Sequence, residues 1–280
     1  MSCNLSVRLR CSRRKNLPAA AGRQKGFTII ELVAVIVLLG IVGIASSQFI
    51  RQGVQVYVDS ARRDDLQQQA RFAVERVTRE VKNALPGSVR VLDDGTNQCV
   101  EFIPIIAATT YMNFIVNSTI SQLEVAAMTY NYVAGDQLAI YTFDNNSVYD
   151  TASITAITGI VDGAIANTQI LSFNALTIVN DSPTKRAYIV AGAISFCVSD
   201  GQLRRHQNYI VDGFPPSAAD GIPVAENIRV SEGAPVTVFS FSAGSLQRAG
   251  ALLLDFRFQD PSASDEWLRF SQTVLVKNVP

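Results

Sequence analysis

Histidine is almost absent from this chain of 280 residues, which contains only His206. A catalytic triad of the Ser-His-Asp kind would therefore have to use His206. Its position relative to Cys99 and Cys197 does not have the spacing of a zinc site. A glycine-rich loop of the Walker type is also missing. The sequence therefore predicts no catalytic residue, no metal site and no cofactor.

Two polar clusters remain as candidate ligand sites. His206 follows Arg204 and Arg205, and we expect a solvated hairpin flank there, with a basic patch for DNA or a sugar phosphate as the alternative. Asp144–Asn146 and Asp150 could hold calcium through oxygen ligands, but their spacing is not that of an EF-hand. Turn formation explains this second cluster with fewer assumptions.

Acidic residues are absent from residues 1–26, a segment that contains seven basic ones. The rest of the chain has the other 17 basic residues and all 24 acidic ones, a net charge of −7. A basic segment ahead of a membrane helix stays in the cytoplasm, and the chain beyond the helix is exported. An acidic exported part argues against nucleic acid as a partner.

Proline is absent between Phe27 and Pro86, so a long helix over residues 27–85 meets no such break. We expect this helix to end near Ala84, because Pro86 cannot continue it and Gly87 permits a turn. Its second half is amphipathic, since apolar residues recur there every three or four positions. The stripe consists of Leu66, Ala70, Ala73, Val77, Val81 and Ala84.

The first half of the predicted helix is apolar from Phe27 to Ala45, with Glu31 as its one acidic residue. A run of this length spans a bilayer, and we place the transmembrane segment at residues 27–47. A carboxylate there costs roughly 2.5–3.5 kcal/mol, which makes Glu31 a candidate functional residue. The alternatives are a tolerated charge near the membrane surface and an ordinary signal peptide cleaved near Gly43–Ala45.

Basic residues, then Gly26 and the sequence FTIIE, resemble the N-termini of type IV prepilins and pseudopilins. The resemblance implies that prepilin peptidase cuts between Gly26 and Phe27, removes the leader 1–26 and methylates Phe27. It also implies that Glu31 is an assembly residue. Glu31 lies about 6 Å along the helix from Phe27, so a neighbouring helix shifted by that distance places its amine opposite the carboxylate.

Residues 86–280 favour a β-rich domain, because β-branched residues and period-two patterns alternate with turn signals. The fold class is therefore α+β, like that of type IV pilins: a long N-terminal helix, first transmembrane and then amphipathic, packed on an antiparallel β-rich domain. We expect residues 151–166 to be irregular. The candidate strands are 88–92, 99–105, 137–143, 168–174, 187–198, 207–211, 236–242, 250–258 and 268–277.

Cysteine is scarce, with four residues in the chain. Cys3 and Cys11 lie in the leader, on the cytoplasmic side. Cys99 and Cys197 are the pair in the exported part, and an even pair in an oxidising compartment predicts one disulfide. Two free buried thiols are the alternative.

Three distal blocks resemble minor prepilins of the MshO type, which belong to the mannose-sensitive hemagglutinin pilus, and their PilW-type and J-type relatives. The blocks are AGAISFCVSDGQLRRH, VAENIRV and LRFSQTVLVKNVP. The resemblance implies a non-enzymatic subunit that helps initiate or cap a pilus near its tip, with a role in adhesion or motility. Its implied partners are other major and minor pilins, the prepilin peptidase/methyltransferase and the inner-membrane assembly platform.

The implied location is the inner membrane, crossed once with the β domain in the periplasm, and then the pilus at the cell surface. A J-like pseudopilin of a type II secretion system is a close alternative. A tip adhesin that binds a surface glycan and a membrane-anchored periplasmic enzyme with an unrecognised site are alternatives from other classes.

Overall fold

The computed structural model describes residues 26–112, 116–141, 148–149, 153–207, 209, 211, 221–231, 236–245, 248–260 and 263–276. The chain divides into two compact units, with the boundary between Tyr57 and Val58. The described residues form one long helix, which runs across this boundary, followed by strands. This agrees with the predicted α+β class.

The helix α1 spans Ile29–Val81 and has 53 residues. Its buried residues are the predicted stripe Leu66, Ala70, Ala73, Val77 and Val81. The helix ends three residues earlier than predicted, because its last turn tightens: Ala84 N–H donates to Val81 C=O, an i to i+3 bond. Ala84 itself is buried and forms a β-bridge with Pro104 instead.

Within the described ranges, the strands form three antiparallel sheets. Their bounds are β1 Arg90–Asp93, β2 Gln98–Phe102, β3 Ile105–Thr110, β4 Thr119–Ala126, β5 Gln137–Ile140, β6 Ile154–Asp162, β7 Thr168–Thr177, β8 Arg186–Val190, β9 Ile194–Ser199, β10 Gln202–Gln207, β11 Ile222–Ala225, β12 Phe239–Ser242, β13 Gly250–Asp260 and β14 Ala263–Val276. The sheet orders are β1-β2-β9-β10-β11, β12-β13-β14 and β3-β8-β5-β6-β7-β4.

The six-stranded sheet nearly closes on itself. Its two outer strands, β3 and β4, approach at a bridge between Tyr111 and Val125. Met112 N–H donates to Glu124 C=O at 2.9 Å, and Thr109 Oγ1 donates to Ala126 C=O at 2.8 Å across the same seam. Closure protects strand edges, and the enclosed side chains form a separate apolar core that includes Leu138, Leu171, Phe173 and Ile189.

The main core lies between the second half of α1 and the other two sheets. The helix stripe packs there with side chains that include Phe102, Phe196, Phe256 and Phe258, all fully buried. The Gln98 side chain joins the two sheets, since its amide oxygen accepts from Val238 N–H at 2.7 Å. One apolar core thus includes the helix stripe and both sheets.

The sequence predictions for the strands were right in part. The stretch 151–166 was predicted to be irregular, but β6 occupies Ile154–Asp162 within it. The predicted strand 187–198 is two strands, β8 and β9, and the predicted strand 207–211 was misplaced, because the strand of this region is β10. β3, β4 and β11 were not predicted; β4, with the sequence TISQLEVA, shows only weak period-two alternation.

Cys99 and Cys197 form a disulfide. The two residues lie directly opposite each other on the neighbouring strands β2 and β9, and both are buried. The bond therefore reinforces a pair of strands in the middle of the five-stranded sheet. The strands themselves are held in register by their backbone ladder, so the sheet does not depend on sulfur for its alignment.

We predict that the double variant Cys99→Ala/Cys197→Ala folds but is less stable. Removing a cross-link over a sequence separation of 98 residues lowers the free energy of unfolding by about 4–5 kcal/mol in the chain-entropy treatment. Urea unfolding of the full chain in detergent measures this. Reductant should destabilise the wild type by a similar amount and leave the variant unchanged; equal stability of all four samples would contradict the prediction.

Candidate functional site

The predicted processing site lies just ahead of the helix. Gly26, Phe27 and Thr28 precede the first helical residue, Ile29, and the Phe27 side chain is 83% exposed. A Cβ added to Gly26 would have no neighbour within 4 Å. The junction is therefore open to an enzyme, and the chain's own packing places no restriction on residue 26.

Thr28 caps the helix. Its Oγ1 accepts from the backbone N–H of Glu31 at 3.3 Å, and its carbonyl accepts from Leu32 N–H at 3.1 Å. Thr28 and Glu31 have the spacing of a capping box, a signal that can be read from the sequence itself. Glu31 thus lies in the first turn, where the helix dipole favours a negative charge. Within the described residues, no hydrogen bond or ion pair reaches its carboxylate.

The apolar half of α1 contains no buried residue. Every residue from Gly26 to Asp65 is exposed, including the large apolar side chains. Between Glu31 and Arg51 there are 19 residues without charge. This separation corresponds to about 30 Å of helix, the thickness of the hydrocarbon core of a bilayer. The helix is long and apolar enough to cross a membrane.

The comparisons agree with this geometry. The family described as the prokaryotic N-terminal methylation motif matches residues 22–47. These residues include Gly26, Phe27, Glu31 and most of the apolar helix. This match supports a type IV prepilin-like protein. No curated protein and no solved structure matches the chain.

The motif supports a membrane-associated pilin or pseudopilin with pilins as partners, and it favours a structural role over an enzymatic one. It covers the first part of the chain alone. The β-rich residues after it must therefore be interpreted from their own contacts.

A buried polar cluster lies in the β domain, at β1 and β2. The Glu101 carboxylate is fully buried and accepts from Arg90 Nε and from the Tyr209 hydroxyl, each at 2.5 Å. The Arg90 guanidinium lies 3.8 Å over the ring of Tyr149, and the Tyr149 hydroxyl donates to Ser88 C=O at 2.7 Å. The buried charge is paired and hydrogen-bonded, which is how a folded domain tolerates it.

The pKa values of both tyrosines in this cluster are raised above their ordinary value of 10.0. Burial is the larger cause in each case, because it disfavours the phenolate. Proximity to the negative charge of Glu101 raises the pKa of Tyr149 further, and the hydrogen bond to Glu101 does the same for Tyr209. Both hydroxyls therefore remain hydrogen-bond donors well into the alkaline range.

The prediction for His206 was wrong. His206 lies in β10 and is only 4% exposed, and a Cβ added to Gly221 would come within 2.6 Å of its Nε2. Because glycine has no side chain, the Gly221 backbone can cover the imidazole directly. The strands β9 and β11 pair with β10 on either side. β10 is therefore an interior strand, although its sequence is polar.

Arg204 and Arg205 do not form an open basic patch. Arg205 Nε lies 2.9 Å from the Glu80 carboxylate, an ion pair between β10 and α1. The Arg204 guanidinium donates to Gly221 C=O at 3.0 Å and to the Gln202 side chain. Both cations bind groups of their own chain, so the basic-patch alternative loses its support.

The calcium candidates Asp144–Asn146 and Asp150 lie outside the described residues. In the part of the chain that the structure describes, no cluster of three or more His, Cys, Asp or Glu side chains could hold a metal ion.

We predict that Gly26→Val blocks processing without disturbing the helix. A Cβ at this position has no neighbour within 4 Å among the described residues, so we expect the effect to arise in the pocket of the peptidase, which must accept residue 26. Mass spectrometry of the N-terminus should find Phe27 first in the wild type and the uncut leader in the variant. Gly40→Val, which also adds its side chain in open space, is the matched control and should be cut normally; a wild-type N-terminus other than Phe27 would refute the site.

We also predict that stability falls above about pH 10. An unfolded tyrosine ionises near pH 10, whereas Tyr149 and Tyr209 stay protonated in the folded chain, so their contribution is fully present below pH 10 and is lost as the pH rises. Each contributes a slope of up to about 1.4 kcal/mol per pH unit. Urea unfolding between pH 9 and pH 12 should show a shallower loss for Tyr209→Phe, while exposed Tyr57→Phe behaves like the wild type. Identical slopes for all three chains would contradict the proton linkage.

Proposed function

We propose that this chain is a minor type IV pilin of the MshO kind, a structural subunit that helps initiate or cap a pilus near its tip and contributes to adhesion or motility. Before assembly it crosses the inner membrane once, with its β domain in the periplasm. Prepilin peptidase cuts between Gly26 and Phe27 and methylates Phe27. The assembly platform then transfers the subunit into the filament beside other pilins.

One observation carries this proposal: every residue of the helix surface from Phe27 to Ala45 is exposed in the single chain, and this surface contains one carboxylate, Glu31. Large exposed apolar surfaces mark membrane or protein contacts. A lipid bilayer satisfies the apolar side chains but not the carboxylate, which is expensive in hydrocarbon. A neighbouring helix with a free N-terminal amine satisfies both.

The geometry at the helix start supports this pairing. Glu31 lies four residues after Phe27, which corresponds to about 6 Å along the axis. A neighbouring subunit shifted by that distance places its Phe27 amine beside the Glu31 carboxylate. In a medium of low dielectric constant, the contact removes two unfavourable buried charges together.

The net charge of −7 in residues 27–280, opposite the seven basic residues of the leader, supports export of the β domain. The disulfide supports an oxidising compartment for the same domain. A J-like pseudopilin would share all of these features. A test separates the two: the mature chain should be recovered from sheared pili if it is a pilin, but not if it is a pseudopilin.

We predict that Glu31→Ala is inserted and cut normally but fails to enter pili. Loss of the carboxylate removes a desolvation cost in the membrane, yet leaves the amine of a neighbour unpaired. An unpaired buried charge costs about 3–5 kcal/mol, which reduces incorporation by roughly two to four orders of magnitude. Glu31→Asp keeps the charge with a shorter reach and should be intermediate. The measurement is the amount of subunit in purified pili relative to the membrane pool.

Thr28→Ala is the matched control for this experiment. It removes the helix cap and keeps the carboxylate, so it tests whether Glu31 acts merely by stabilising the first turn. We expect Thr28→Ala to be incorporated nearly as well as the wild type. If Thr28→Ala and Glu31→Ala fail equally, or if neither fails, the pairing role of Glu31 is wrong.

A further inference from the structure

The strand β14 is a long edge strand of the described fold. It is the outer strand of the three-stranded sheet and pairs with β13 along its length. Within the described residues, no other strand pairs with it. The stretch 267–276 alone has ten residues, about 34 Å of strand. Natural proteins cover, shorten or pair such edges, because the open backbone groups are a template for another strand.

The side chains of β14 alternate between the two faces of the sheet. Leu268, Phe270, Val274 and Val276 face the main core. Trp267 and Leu275 are on the opposite face and are 39% and 62% exposed. Both lie four residues from Ser271, one on each side. The exposed apolar residues are thus arranged symmetrically about the centre of the edge.

We propose that β14 pairs with β14 of a second copy of this chain, antiparallel, about a two-fold axis that passes through Ser271. Trp267 of each copy then lies opposite Leu275 of the other, and Arg269 lies opposite Thr273. On the core side, Leu268 lies opposite Val274. Six strands form one continuous sheet across the two copies, and the same patch serves both subunits, as an isologous contact requires.

A second copy brings an apolar partner for both exposed residues, which favours it as the occupant of this edge, and the side chains favour one register. A shift by one residue would pair core-facing with outward-facing side chains. A two-fold axis through Arg269 would place two guanidinium groups directly opposite each other, which is unfavourable. An axis through Phe270 places Trp267 opposite Thr273 instead of Leu275. The axis through Ser271 therefore gives the apolar pair without a like-charge contact.

Cysteine cross-linking tests the axis directly. The experiment uses the full chain in detergent, with Cys3 and Cys11 replaced by serine. In Ser271→Cys the two new thiols face each other with Cα atoms about 4.5–5.5 Å apart, within reach of a disulfide. In Thr273→Cys the matching Cα atoms are displaced by four residues, about 14 Å, and cannot be joined. We expect a covalent dimer for Ser271→Cys and none for Thr273→Cys.

A charge exchange in the Ser271→Cys background tests the apolar pair. Trp267→Lys or Leu275→Asp alone should lower the yield of dimer roughly tenfold, since each places a charge against an apolar side chain at two symmetric positions. The double variant places Lys opposite Asp twice and should restore the yield. Val161→Lys, at a 60% exposed apolar site on β6, should have no effect.

Several outcomes would overturn the proposal. Equal cross-linking of the Ser271→Cys and Thr273→Cys chains would mean contact without this register, for example through the apolar helices. Absence of dimer in the Ser271→Cys chain would mean no pairing of β14. A double variant as poor as the single ones would refute the Trp267–Leu275 contact. The assay reads strand pairing alone, so its result is independent of whether the chain enters pili.

Discussion

The packing of one helix stripe into the β domain is the contact on which the rest of the described fold depends. Ala70 and Ala73 are fully buried, and such small side chains let the helix approach the sheets closely. Val77 and Val81 then extend the contact toward the helix end, and each buried valine contributes about 1.5–3 kcal/mol. The ion pair of Glu80 with Arg205 fixes the helix to β10 at the end of the stripe. The five-stranded and three-stranded sheets share this core, so loss of the stripe would expose both.

The sequence predicted the helix well because its signals are local. The three-and-four spacing from Leu66 to Val81 matches the buried face residue by residue, and Pro86 marks the end to within a few positions. The disulfide between Cys99 and Cys197 was predicted because these are the two cysteines in the exported part of the chain. The sites at Gly26, Phe27 and Glu31 depend on an enzyme and a neighbour, and they remain predictions.

The rest of the β domain was predicted less well, because its structure depends on contacts between segments that are distant in the sequence. His206 follows two arginines, and nothing nearby in sequence indicates that Gly221 covers it. The turn at Asp200-Gly201 was predicted, since an Asp-Gly pair is a strong signal for a two-residue hairpin, and both residues have positive φ, at 48° and 75°. The error lay in starting the next strand at residue 207, whereas a two-residue hairpin places β10 directly after the turn and beside β9. The near-closure of the six-stranded sheet had no comparable signal in the sequence, since β3 and β4 meet at a single isolated bridge.

Two carboxylates show how the chain separates internal stability from assembly. Glu101 is fully buried, and Arg90 and Tyr209 satisfy it within the same domain. Glu31 is on an exposed apolar helix, and no group in the described chain binds its carboxylate. The proposed pairing with a neighbouring subunit rests on this contrast, because a charge is costly in an apolar medium when no group of the described chain pairs with it. In the proposed function, a second helix supplies the partner that Glu31 lacks, whereas the partners of Glu101 belong to its own domain.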